Sequence, residues 1–153
     1  MSLKGVISAA CPKGCEAFET EVWSFVRGDQ DEALRDALLV AELNLLVCPE
    51  CSTVFRPESM VVYFDPGAQW AAFIFPESYS GEESRWRQKM NDDFKALREL
   101  MGGQKPVEFE PRLYFGAEQF RSALQADIDM EDEVLIAEHL SKGLGLRLFD
   151  IPR

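Results

Sequence analysis

Four cysteines, placed in two short pairs, limit this chain more than any other feature: Cys11 and Cys15 in "CPKGC", then Cys48 and Cys51 in "CPEC", with 32 residues between the pairs. In each pair a proline follows the first cysteine, where it fixes φ and shapes a turn. A tight turn presents two sulfurs to one side. Two such turns, brought together by a sheet, close a tetrahedral shell around an ion about 2.3 Å from each sulfur. The spacing is the sequence form of a four-thiolate zinc site, with Cys11, Cys15, Cys48 and Cys51 as ligands. Four cysteine ligands leave no open coordination position, so the Zn²⁺ expected here is structural and not catalytic.

Other uses of the same residues stay open. Disulfides belong to oxidising compartments, and the opening "MSLKGVISAA" has no signal-peptide core. Cys48 and Cys51 have the spacing of a redox-active dithiol, but no thioredoxin-like βαβ pattern follows, and the first pair would have no role. Iron fits the same cage, and spacing does not choose between the two metals. The first pair carries three intervening residues where the second carries two; Gly14 can absorb the extra one by taking φ > 0. Ser52 stands directly after the second pair, where a glycine often sits.

Sixteen basic residues face twenty-seven acidic ones, a net charge of −11 spread over both halves of the chain. Nucleic-acid binders need a positive footprint to displace counterions from phosphates, and none is present. Anionic membrane surfaces are disfavoured for the same reason. No apolar run approaches the roughly 18 residues that span a bilayer, so the expected location is the cytoplasm.

Along the chain, residues 18–27 ("FETEVWSFVR") are β-branched and aromatic and predict a strand, ended by Gly28. Asp29 and Glu32 have capping-box spacing, and the stretch that follows puts Leu34, Leu38, Ala41 and Leu45 on one helical face leading to Cys48. "STVF" is a short strand. "MVVYF" and "WAAFIF" flank "DPGAQ", which reads as a hairpin with a type II turn at Pro66 and Gly67.

Beyond residue 77 the pattern is mainly helical. Ser80 and Glu83 offer a second capping box. Trp86, Met90, Phe94, Leu97 and Met101 follow at helical spacing and Gly102–Gly103 end the run. "KPVEFEPRLYFG" is extended. Phe120, Leu124 and Ile128 mark one helix, and "MEDEVLIAEHLSKGLG" a further helix with an acidic first turn. The acidic run 127–133 lacks the glycine and terminal glutamate of a calcium loop. His139, the only histidine, has no catalytic partners in the pattern, and neither a serine–histidine–acid triad nor a phosphate loop can be assembled.

"CPKGCEAFETEVW", the helix ending in "ELNLLVCPECSTVF", and the "MVVYFDP" strand resemble the CpXC domain family of bacteria and archaea. "EPRLYFGAEQFRSAL" and "DIDMEDEVLIAEHL" resemble that family's C-terminal part. The resemblance implies a metal-ribbon fold over nearly the whole chain and the same four ligands, and it supplies no activity. The expectation is therefore one α+β domain over residues 1–153. A zinc-ribbon-like antiparallel β module (1–77), with a helix inserted between its cysteine pairs, packs against a mainly helical part (78–153). The expected role is non-enzymatic, an interaction or regulatory module with another protein as partner. The alternative is a redox- or metal-responsive switch worked by Cys48 and Cys51, and an enzyme with a pocket between the two parts is a third.

Overall fold

The computed structural model describes residues 1–101 and 108–147. Strand β1 (Leu3–Ala9) pairs antiparallel with β2 (Phe18–Arg27) across the first cysteine turn. Helix α1 (Glu32–Leu39) follows, then a small hairpin of β3 (Leu46–Val47) and β4 (Val54–Phe55) around the second turn. β5 (Val61–Asp65) and β6 (Trp70–Phe75) form an antiparallel hairpin. A 3-10 turn (Glu77–Glu82) leads into α2 (Glu83–Met101), and β7 (Arg112–Phe115) precedes α3 (Ala117–Leu144). The main sheet has the order β1-β2-β5-β6-β7, and β3–β4 stands apart from it.

β5 and β6 are buried at every position, which their unbroken apolar runs require. Their two-residue period divides the core. Val61, Tyr63, Trp70, Ala72 and Ile74 face α1 and α3, where they meet Leu38, Phe120 and Leu124. Val62, Phe64, Ala71, Phe73 and Phe75 face α2 and its Met90 and Phe94. The sheet is thus the middle of three layers, and each large side chain buried there contributes about 1.5–3 kcal/mol.

The α+β class holds, and both cysteine turns sit in antiparallel hairpins as a zinc-ribbon-like module needs. The main sheet departs from a purely antiparallel one in two pairings. β2 runs parallel to β5 and β6 runs parallel to β7, because α1 with the β3–β4 hairpin, and later α2, carry the chain back across before the next strand begins. β7 lies beyond residue 78, so strands from both parts of the chain share the sheet.

Local differences have local causes. α1 ends at Leu39, short of Leu45, and Ala41 and Asn44 take left-handed backbone (φ 63° and 58°). The N–H groups of Glu42 and Leu43 turn back to the Ala37 carbonyl at 2.7 and 3.0 Å, and Arg56 Nη2 donates to the Ala41 carbonyl at 2.6 Å. Leu34 and Leu38 pack into the core as expected; Leu43 supplies the next buried contact, and Leu45 is exposed. Asp29 does not cap α1: it receives two 2.7 Å bonds from Arg27, while Asp31 holds the cap position and accepts from Ser2. Ser80 lies inside the 3-10 turn and does not cap α2. At the β5–β6 turn, Asp65 Oδ1 accepts from the N–H groups of Gly67 and Ala68, both at 3.0 Å, and the positive φ falls on Gln69 (58°) and not on Gly67.

The stripe of α2 packs through Trp86, Met90, Phe94 and Leu97 as its spacing requires; the Met101 side chain and the Gly102–Gly103 stop lie outside the described residues. The two helices expected after residue 116 are one, α3, because no glycine or proline interrupts residues 117–142. The acidic run 127–133 is therefore helix interior and not a helix start.

Candidate metal centre

The two hairpins bring all four cysteines to one point. Cys11, Cys15, Cys48 and Cys51 place their Sγ atoms within 4.8 Å of one another, with Cys11 and Cys51 only 3.6 Å apart. For bonds of about 2.3 Å, a tetrahedron has sulfur–sulfur edges of about 3.8 Å; the Cys11–Cys51 pair is near that separation, and the whole cluster is compact enough for one ion to join it. None is bonded to another; all four are free thiols. Each pair contributes one buried member (Cys11, 6% exposed; Cys48, 1%) and one half-buried member (Cys15 and Cys51).

Each turn is built by its own backbone. In the first, the Gly14 N–H donates to the Cys11 carbonyl at 3.0 Å, and Gly14 takes φ 80°, the left-handed value that lets three intervening residues fit. The Lys13 N–H points at Cys11 Sγ from 3.4 Å. In the second, the Ser52 N–H donates to the Cys48 carbonyl and the Cys48 N–H to the Thr53 carbonyl, both at 2.9 Å. Ser52 itself is left-handed (φ 57°), the conformation for which glycine is the usual residue.

Two contacts hold the hairpins against each other. Phe18 at the start of β2 meets Phe55 of β4 edge to face, with ring centroids 6.3 Å apart. Asn44, just before β3, binds the β2 backbone with both ends of its amide: the Trp23 N–H donates to Oδ1 and Nδ2 donates to the Trp23 carbonyl, each at 2.8 Å. Asn44 thereby serves the Trp23 backbone, which lies outside the Phe25–Arg27 pairing with β5. Nothing in the cysteine spacing signals this clamp; an asparagine tolerant of left-handed backbone is the one available hint.

The thiols do not ionise alike. The Thr53 hydroxyl lies 3.2 Å from Cys51 Sγ and, with the Thr53 backbone N–H, lowers the Cys51 thiol to about 6. The hydrogen bond with Cys51, then burial, pushes the Cys15 thiol well above its ordinary value.

Among the described residues, no other group of histidine, cysteine and carboxylate side chains has this geometry. His139 is exposed on α3, and Trp23 is half-buried. A cavity of about 400 Å³ lies between the end of α1, the β4–β5 connection and the start of α3. Arg56, Arg121, Glu58, Glu77 and Glu118 line it together with apolar side chains, and no cysteine or histidine does.

Comparison with protein families gives one match: the model of the family described as CpXC protein aligns with residues 9–139. That span runs from just before Cys11 to His139 and includes both cysteine turns, the main sheet except for the first six residues of β1, and most of α3. No curated protein and no solved structure gives a significant match.

Proposed function

Because the chain belongs to the CpXC family, we propose that it is a zinc protein in which Cys11, Cys15, Cys48 and Cys51 hold one structural Zn²⁺, and that it acts as a non-enzymatic interaction module. The observation that carries this reading is the convergence of four free sulfurs to within 4.8 Å of one another. Zinc suits such a shell because it has no geometric demand beyond four ligands, and a closed Cys₄ set leaves no water to activate. The second of the hairpins that supply the sulfurs has little core of its own: β3 and β4 are two residues each, and Val47 and Val54 are exposed. A metal that joins it to the first contributes folding energy where burial does not. A reducing compartment such as the cytoplasm keeps the thiols available.

Cys48→Ser tests the reading. The variant is expected to lose its zinc, measured by elemental analysis, and to lose protection of backbone amides in β3, β4 and the β1–β2 turn, measured by hydrogen exchange. Retained zinc with unchanged exchange would contradict it. The redox alternative ranks second because it uses Cys48 and Cys51 alone, and the convergence of Cys11 and Cys15 on the same point would then have no role.

A further inference from the structure

Among the described residues the second half of α3 packs on little: Ser141 alone is buried there, 9% exposed. The helix is 28 residues long, about 42 Å. Its contribution to the core comes from Ala117, Phe120, Ala123, Leu124 and Ile128, and no residue beyond Ile128 joins either face of the sheet. Yet the composition stays apolar. Met130, Val134, Ala137, Leu140 and Leu144 follow at steps of four, three, three and four, so they run along one side of the helix, and Ile136 widens the stripe. Their exposure is that of surface residues: Met130 49%, Val134 51%, Ile136 59%, Leu140 55% and Leu144 70%. Isolated apolar side chains on a surface need no explanation, but a row of them over four turns, broken at Glu133 and at the buried Ser141, marks an interaction site.

Charge identifies what covers it. The stripe is accompanied by Asp129, Asp132, Glu133 and Glu138, all exposed, against Lys142 alone within the same turns. A second copy of the chain would bring the same acidic surface to itself, in molecules of net charge −11 each, and an anionic membrane would be repelled in the same way. A basic amphipathic helix satisfies both features, its apolar side filling the stripe and its lysines or arginines meeting the carboxylates. We propose that residues 129–144 of α3 form the docking surface for a basic amphipathic helix of a partner protein. This rests on the interaction-module reading and names its surface and the chemistry of its partner.

The probe is a synthetic peptide of about 18 residues with leucines at helical spacing and lysines elsewhere; controls are its glutamate counterpart and a scrambled lysine peptide of the same composition. Binding to the full-length, metal-loaded protein is measured by fluorescence anisotropy at low and high salt. The wild type is expected to bind the patterned lysine peptide, more weakly at high salt, and to discriminate against both controls. The triple variant Val134→Gln, Ile136→Gln, Leu140→Gln keeps every charge and should bind at least about tenfold more weakly with its metal content and melting unchanged. Equal affinity for the triple variant or for the scrambled peptide, or no binding at all, would overturn the proposal. So would a wild-type dimer in sedimentation that the triple variant converts to a monomer, since the stripe would then be covered by a second copy. Failure of the zinc reading is visible separately, as absence of metal from both proteins whatever the peptide does.

Discussion

Ser52 shows how much a single backbone position contributes to the cysteine cage. It takes φ 57° directly after Cys51, which turns the chain back so that the Thr53 carbonyl can accept from the Cys48 N–H. A left-handed residue with a Cβ costs about 1–2 kcal/mol, part of which glycine returns as lost freedom in the unfolded chain. Ser52→Gly should therefore stabilise the metal-loaded protein by up to about 1 kcal/mol in urea denaturation, and Ser52→Val should destabilise it. A glycine variant less stable than the wild type would contradict this account of the turn. Gly14, at φ 80°, meets the same demand with the residue suited to it, and a Cβ there would meet nothing within 4 Å, so the constraint is purely one of backbone. Gly28 is constrained in the opposite way: its φ is ordinary, but an added Cβ would lie 2.1 Å from the Tyr63 hydroxyl oxygen. The need at Gly14 can be read in the three-residue spacing. The need at Gly28 cannot, because Tyr63 lies 35 positions away in the chain.

Among the elements, the segment between α1 and β3 decides whether the second hairpin finds the first. Asn44 fixes it to β2 through two 2.8 Å hydrogen bonds to Trp23, in a left-handed conformation that glycine also adopts. Asn44→Gly keeps the backbone and removes both bonds, each worth about 1 kcal/mol. A loss of about 2 kcal/mol in global stability is expected, together with faster zinc transfer to a chelator; a neutral variant would mean that Phe18 and Phe55 alone align the hairpins. Helical periodicity runs on through Leu45, and only the distant Arg56 and Trp23 show why the helix does not. The strand β1 was equally hidden: Leu3 and Val6 are exposed on an edge strand, so it lacks the apolar alternation that marked β2. Strands β2, β5 and β6 were legible because burial dictates their composition, and the stripe of α2 because one face packs on the sheet. The continuity of α3 follows from an absence of helix breakers, a weaker signal than the acidic run that suggested a new start.

On the scale of the whole molecule, two sources of order meet at β2, which follows the first cysteine turn, pairs with β5 and places Val26 in the core. The three-layer sandwich is held by apolar burial on both faces of β5 and β6, far more core than the β3–β4 hairpin possesses. The two cysteine turns are brought together by four sulfurs, and both features were legible from the cysteine pairs and the aromatic strands together. The parallel pairings were not, since the direction of a strand depends on the length and path of the crossover and not on the strand's own residues. Metal removal is accordingly expected to loosen the two cysteine turns before the sandwich melts. The most direct measurement is elemental analysis of freshly purified protein, with free thiols counted before and after unfolding in a chelator. One zinc per chain, with the thiols reactive only after unfolding, is the expected result. Metal-free protein with one or both cysteine pairs oxidised would contradict the structural zinc site and put the redox switch in its place.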